Sequence, residues 1–140
     1  MRIRGENIIM AKWLIPFNAK KIDISSLFEN NESLFIKRNR ALSEGDEVYI
    51  YLSKPFSEVK YKGLVLRSNV TASELPPEYK VSELENGLYA EIKLLLMFPD
   101  NKITNEKLKQ LGVGQLINQQ SIYGKTEQHL IECEKEISVE

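Results

Sequence analysis

The sequence has very little of the material from which metal sites and covalent catalysis are built. Cys133 is its only cysteine and His129 its only histidine. A single cysteine excludes an internal disulfide and any metal site with several cysteines. A single histidine excludes catalysis by paired histidines and the zinc centres that use two or three of them. We therefore expect no bound metal, no cofactor and no enzymatic activity of these kinds.

A strong charge of one sign and long apolar runs are also missing. The formal net charge is −1, so only local charged patches can matter for binding. No apolar run approaches the length that spans a membrane. The first ten residues are too short, and too interrupted by Glu6 and Asn7, for a secretory signal. We expect a cytoplasmic protein without a membrane partner.

The chain is long enough for one domain with a proper hydrophobic core. Its 140 residues are 42% hydrophobic and 28% charged, which is ordinary for a folded globular protein. Residues 1–10 show no pattern and precede the first ordered stretch, so we interpret them as a dispensable leader. Residues 11–140 are expected to form a single domain.

The clearest pattern lies between residues 35 and 67. The Gly45-Asp46 turn opens residues 46–53, in which Val48 and Ile50 alternate with tyrosines, as in a half-buried strand. A loop around Pro55 breaks the alternation, and residues 58–67 resume it. Two strands so close in sequence most simply pair antiparallel.

Two further segments alternate in the same way. Residues 11–17 form a predicted strand, and Pro16 is expected to end it or to place it at a sheet edge. Residues 88–98 follow Gly87 and form another, although a buried helix is an alternative for so apolar a run. Short helices are predicted after Asp23 or Ser25, from Thr104 to Leu111, and over residues 126–137.

These elements together predict an α+β fold. Strands dominate the centre of the chain, and short helices flank them. Pro76-Pro77 and the amide-rich residues 114–124 are predicted loops. Several short antiparallel strands in so few residues favour a curled sheet or small barrel over a sandwich. We predict five or six mainly antiparallel strands.

The order of these motifs resembles the EVE, YTH and PUA-like group of small barrels. In EVE domains, a first strand with tryptophan precedes an Arg-Asn-rich segment and a Gly-Asp turn. An aromatic-rich strand that ends near a serine follows, and then a strand with a glycine before its valines. The matching residues here are Trp13, Arg38-Asn39-Arg40, Gly45-Asp46, residues 49–53 and Gly63-Leu64-Val65. The likeness covers roughly residues 11–67.

The resemblance implies a domain that binds nucleic acid and often holds a modified base in an aromatic pocket. Similar modules form the N-terminal specificity domains of modification-dependent restriction GTPases of the McrB kind. We therefore expect a non-catalytic reader of a modified or flipped base, with DNA favoured over RNA as its partner. The resemblance also points to a larger restriction or RNA-handling assembly.

A base held out of its stack needs a flat apolar face and hydrogen-bonding groups along its edge. The predicted base-binding residues are Trp13, Tyr49, Tyr51, Phe56, Asn39 and Ser53. The predicted phosphate-binding residues are Lys37, Arg38, Arg40, Lys54, Lys60 and Lys62. The competing interpretation is that the aromatic residues fill the core and that the basic run is a solvated turn.

Two other functions stay open at this point. Some PUA-like relatives of the ASCH type hydrolyse modified nucleosides, which would require a lysine–carboxylate pair in the pocket. Lys60 or Lys62 with Glu58 or Glu91 could form such a pair, but no spacing singles it out. Alternatively, an exposed sheet edge or the last helix could bind another protein.

Overall fold

A computed structural model describes residues 11–20, 22–79, 87–116 and 118–138. The predicted leader lies outside these ranges. In chain order the described elements are β1 (Lys12–Phe17), α1 (Ile24–Glu29), β2 (Leu34–Lys37), β3 (Glu47–Leu52), β4 (Glu58–Val70), β5 (Tyr89–Met97), α2 (Asn105–Gln110), β6 (Gln120–Ser121) and α3 (Gly124–Ser138). Two 3-10 helical turns, Ala72–Glu74 and Pro77–Tyr79, follow β4.

The six strands form one sheet in the order β2-β5-β4-β3-β1-β6. Neighbouring strands are antiparallel except for β1 and β3, which run parallel. Register shifts occur between β3 and β4 and repeatedly between β4 and β5, and such irregularities increase the twist of a sheet. The sheet curls into a half-barrel with short helices around it. The predicted α+β fold, with a curled and mainly antiparallel sheet, is confirmed.

The strands predicted over residues 46–53, 58–67 and 88–98 are confirmed as β3, β4 and β5. Segment 88–98 is a strand and not the alternative helix. The three predicted helices are confirmed as α1, α2 and α3. Asp23 caps α1 and Thr104 caps α2, each accepting a hydrogen bond from a backbone amide three residues later. No helix among the described residues is long and apolar enough to cross a bilayer.

Pro16 does not end β1, which continues to Phe17. The carbonyl of Lys12 faces β6, and Pro16 faces the same side because alternate residues of a strand point their backbone groups the same way. β6 pairs with β1 only at Trp13 and Leu14. The missing N–H of Pro16 therefore interrupts no ladder, and the proline lies where β1 is locally an edge.

Two strands lie where the sequence predicts none. β2 occupies the entry to the predicted basic turn, and β6 lies inside the predicted loop over residues 114–124. β2 has four residues and β6 only two. Neither is long enough to show a clear alternation of apolar and polar side chains, so their pairing with distant strands decides their conformation.

Apolar side chains cover both faces of the sheet. The first core fills the half-barrel and includes Val48, Ile50 and Ile92, with Leu27 and Phe28 of α1 packed against it. The second core lies under α2 and α3 and contains Leu14, Tyr49, Tyr51, Val59, Phe98, Ile103, Leu108, Ile122, Leu130 and Cys133. Because β3 contributes to both cores, neither of its faces is a solvent-exposed surface.

Candidate nucleic-acid interface

The basic segment, residues 37–41, leaves the end of β2 and is tied to the neighbouring strands. The Arg38 amide donates to the carbonyl of Leu88 at 2.9 Å. The Arg38 guanidinium donates to the Ser68 carbonyl at 2.6 Å and to Asn69 Oδ1 at 3.2 Å. A third bond, at 3.3 Å, runs from Arg38 Nε to the carbonyl of Arg40. Arg38 therefore fixes the path of the segment against the end of β4.

Gln119 holds the same segment from the opposite side. It is 3% exposed and directly precedes β6. Its Nε2 donates to the Lys37 carbonyl at 2.8 Å, and its Oε1 accepts from the Asn39 amide at 3.1 Å. One side chain thereby links β2 to the start of β6, the two edge strands of the half-barrel.

An open groove of about 330 Å³ runs beside the basic segment and is lined by residues 38–41 and Leu88. Arg40 is exposed, and its guanidinium donates to the neighbouring Asn39 carbonyl at 2.8 Å. Within the described ranges, neither Arg38 nor Arg40 forms an ion pair with an acidic residue. The groove therefore offers cationic donors next to the apolar side chain of Leu88, an arrangement suited to a phosphate and an adjoining base.

The other predicted phosphate contacts lie elsewhere. Lys54 is exposed in the loop between β3 and β4. Lys60 is paired with Asp100, and Lys62 lies 2.7 Å from Glu134. The side chains of both β4 lysines are largely buried. These two lysines, predicted as phosphate contacts, thus neutralise carboxylates of the same chain.

Tyr49 and Tyr51, which the sequence predicts as stacking platforms, belong to the second core. Tyr49 is 1% exposed, and its hydroxyl donates to the Glu134 carboxylate. Burial and that carboxylate raise the pKa of Tyr49 far above its ordinary value. Lys62 Nζ lies 5.7 Å from the centre of the same ring. Neither tyrosine keeps a free ring face.

The remaining predicted base contacts are more accessible but scattered. Trp13 is half-buried, and its Nε1 donates to Asp46 at 3.0 Å. Phe56 is 51% exposed in the loop after β3, where Ser53 is half-buried. Of the six predicted base contacts, only Asn39 lines the groove. The structure therefore brings Asn39 together with Arg38 and Arg40, and leaves the aromatic residues apart from them.

Sequence reasoning missed Gln119 and Leu88. Gln119 stands in an amide-rich stretch without periodicity, and Leu88 is one apolar residue in an apolar run. Their roles depend on pairing between distant parts of the chain, for which a single sequence carries no signal. The Arg38–Asn39–Arg40 run is the part of the site that could be found from sequence alone.

The lysine–carboxylate pairs named for a nucleoside hydrolase do not form in the part of the chain that the structure describes. Nor do three or more His, Cys, Asp or Glu side chains there form a group that could hold a metal ion. The observed partners are Asp100 for Lys60, Glu134 and Glu47 for Lys62, the Asn101 amide for Glu58, and Ser33 and Arg67 for Glu91.

Comparison with solved structures places this geometry among known folds. The ASCH protein of Zymomonas mobilis superposes with a TM-score of 0.60 at 14% identity, over 87% of this chain and 94% of that chain. A hypothetical protein from Leishmania major gives a TM-score of 0.66 at 17% identity, over 96% and 99%. The chain has a PUA-like fold.

A further structural neighbour is a protein from Rhodopseudomonas palustris solved by NMR, with a TM-score of 0.63 at 14% identity over 89% of this chain and 92% of that chain. No family model matches the sequence, and no curated protein does. The structural neighbours confirm the predicted PUA-like fold, whereas the resemblance to EVE domains and McrB-type systems stays a prediction.

Proposed function

We propose that this PUA-like domain binds nucleic acid through the basic segment and its groove. The observation that carries the proposal is the anchoring of Arg38 and Arg40, without acidic partners among the described residues, beside an open groove. Binding of phosphates by such cations releases condensed counterions and favours association. The fixed backbone of the segment lowers the entropy that is lost on binding.

The groove gives each of its residues a distinct role in this proposal. Arg40 is exposed and supplies the cation that meets a phosphate. Arg38 mainly positions the segment, because its guanidinium already donates to three acceptors of this chain. The Asn39 side-chain amide carries both a donor and an acceptor, which suits the edge of a base. Leu88 offers apolar contact to that base.

We also propose, on the resemblance to EVE domains, that the domain reads a modified or flipped base without catalysing a reaction. DNA as the preferred partner, a restriction or RNA-handling assembly and a cytoplasmic location belong to the same proposal. Trp13 and Phe56 are the candidate stacking platforms, since both retain accessible ring surface. Base–aromatic stacking is worth about 1–3 kcal/mol, so loss of the true platform should weaken binding of the base by roughly tenfold or more.

The binding proposal is tested by fluorescence anisotropy with labelled DNA and RNA over a range of salt concentrations. Arg40→Ala should weaken binding to all sequences alike and reduce the slope of log K against log salt by about 0.7–0.9 for the lost phosphate contact. Lys109→Ala is the matched control, because Lys109 is exposed on α2 outside the groove. Equal slopes for the parent and Arg40→Ala would contradict a phosphate contact at Arg40 and would mean that the interface lies elsewhere on the domain.

Base recognition needs a separate comparison of modified and plain oligonucleotides of one sequence. Trp13→Leu or Phe56→Leu should remove the preference for the modified base while leaving affinity for the plain one nearly unchanged. A melting curve for each variant shows that it is folded. A parent protein without any preference contradicts base recognition, and release of free base in a parallel hydrolysis assay contradicts the non-catalytic assignment.

A further inference from the structure

A second cavity, of about 240 Å³, lies where α2, β6 and α3 meet. Its walls are the turn after α2 (residues 111–113), β6 with the residue after it (120–122), and the start of α3 with the residue before it (123–126). It shares no lining residue with the groove of the basic segment. The cavity is therefore a separate feature from the interface proposed above.

The start of α3 presents backbone amides at this cavity. The first amides of a helix have no acceptor within the helix, and the helix dipole adds partial positive charge there. Among the described residues, no side chain accepts a hydrogen bond from the amides of Gly124, Lys125 or Thr126. Gly124 has φ +62°, and a Cβ at this position would meet nothing within 4 Å. Glycine is therefore favoured here by the positive φ of the backbone, and not by a lack of space for a side chain.

Thr126 is an independent sign that the cavity takes a polar ligand. It lines the cavity and is only 7% exposed, and its hydroxyl forms no hydrogen bond with a described residue. A buried hydroxyl without a partner is unfavourable, and an acceptor bound in the cavity would satisfy it. Glu127, the acid of the first turn, lies 3.1 Å from Lys12, which offsets its charge. Lys125 is exposed and forms no ion pair with a described residue.

The chemistry of Gly124-Lys125-Thr126 identifies the ligand class. A strand followed by Gly-Lys-Ser/Thr at the start of a helix brings amides and an ammonium group onto a phosphate, and places a hydroxyl beside them that contacts the bound Mg²⁺ in the complete loop. The complete phosphate-binding loop also has a glycine five residues earlier, where this chain has Gln119. The side chain of Gln119 holds the basic segment. The arrangement suits one phosphate group and not a polyphosphate.

Tyr123 adds an aromatic surface next to the same donors. It is 77% exposed and lines the cavity immediately before Gly124. An exposed aromatic ring next to a phosphate site is a platform on which a base can stack. We propose that the start of α3 binds the phosphate group of a nucleotide, with Thr126 and Lys125 as donors and Tyr123 stacked on the base.

Amide signals of the full chain, followed by NMR during titration at constant ionic strength, test this site directly. Inorganic phosphate and adenosine monophosphate should both shift the signals of Gly124, Lys125 and Thr126, and the nucleotide should bind more tightly. Adenosine alone lacks the phosphate and should bind much more weakly than adenosine monophosphate. Oligonucleotides with and without a terminal phosphate then distinguish a free nucleotide from the end of a strand as the source of the phosphate.

Three variants make the assignment specific. Thr126→Val keeps the shape of the side chain and should weaken phosphate binding roughly tenfold without lowering the melting temperature, because a hydrogen bond to a charged group is lost. Lys125→Ala should weaken it as well, whereas Lys109→Ala on α2 should not. Tyr123→Ala should bind adenosine monophosphate no more tightly than inorganic phosphate.

The outcome is independent of the nucleic-acid interface. Shifts confined to the basic segment, full affinity in Thr126→Val, or an equal response to chloride would each overturn the α3 site. Arg40→Ala should retain binding of adenosine monophosphate at the start of α3 even where it loses affinity for nucleic acid. Loss of both in that variant would mean that only one anion site exists.

Discussion

The backbone amide of Asn39 donates to the side chain of Gln119 at 3.1 Å, although the two residues are 80 positions apart in the sequence. This bond, with the one from Gln119 to the Lys37 carbonyl at 2.8 Å, crosses the gap between the edge strands β2 and β6. A single buried amide group thereby takes the place of a strand ladder. It also sets the position of the basic segment.

Replacement of Gln119 should therefore affect stability and binding together. Gln119→Leu keeps much of the volume but leaves the Lys37 carbonyl and the Asn39 amide without their partner. We expect a loss of about 1–3 kcal/mol in the free energy of unfolding, measured with urea. Nucleic-acid affinity should fall as well. Gln128→Leu, at an exposed position of α3, is the control, and an equal effect of both changes would contradict the structural role of Gln119.

Gly63 lies in β4, between the neighbouring strands β3 and β5, at a point where there is no room for a side chain. A Cβ at this position would lie 2.4 Å from Ile92 Cγ2 and 3.0 Å from the Lys93 carbonyl oxygen. Gly63→Ala should lower the free energy of unfolding by about 1–3 kcal/mol through overpacking. Gly114→Ala should be nearly neutral in the same urea titration, since a Cβ there meets nothing within 4 Å. Equal stabilities of the two variants would show that β4 and β5 can separate at Gly63.

Tyr49 should make stability depend on alkaline pH. Burial and the Glu134 carboxylate raise its pKa in the folded state above the ordinary value of 10.0. Below pH 10 both states hold the phenol proton, and above it the unfolded state loses the proton first. Stability therefore falls as the pH rises above about 10. Tyr49→Phe should show a shallower fall than the parent in urea unfolding at pH 9 to 11.

Tyr61 and Tyr79 provide the internal control for that experiment. Burial raises the pKa of both side chains too, and both remain in the Tyr49→Phe variant. The difference between parent and variant therefore reports Tyr49 alone. Identical slopes would mean that the Tyr49 phenol ionises as easily in the folded chain as in the unfolded one.

Lys62 should behave as a structural cation and not as a phosphate contact. Its ammonium lies 2.7 Å from Glu134 and 3.4 Å from Glu47 on a largely buried part of β4. Lys62→Met should cost about 1.5–3 kcal/mol in urea unfolding, because charged hydrogen bonds are lost and Glu134 loses its cation. The salt dependence of nucleic-acid binding should stay that of the parent, in contrast to Arg40→Ala. A reduced salt slope in Lys62→Met would instead show that Lys62 contacts a phosphate.

Local signals account for the part of the fold that the sequence could predict. Gly45 turns the chain with φ +89°, and alternation then continues through β3, β4 and β5. A turn glycine and period-two alternation need no knowledge of the rest of the chain. The parallel pairing of β1 with β3, and the two short edge strands, depend on contacts between distant segments and could not be predicted.

The candidate site also has a part that local sequence signals predict and a part that depends on contacts between distant segments. The run of Arg38, Asn39 and Arg40 is visible as composition, and the structure shows it anchored beside a groove. The alternation at Tyr49 and Tyr51 indicates only that they face away from Val48 and Ile50. It cannot indicate that α2 and α3, far along the chain, cover that second face. The sequence predicts a base pocket at the two tyrosines because it carries no signal of their burial by distant helices.

The position of β1 has a consequence for the order of events during synthesis. Trp13 has Val48 as its neighbour on one side and Ser121 on the other, so β1 takes its two partners from the middle and the far end of the chain. A ribosome releases these segments in sequence, at roughly 5–20 residues per second. The nascent chain must therefore hold β1 half-paired for several seconds, and the sheet closes only after residue 121 has emerged.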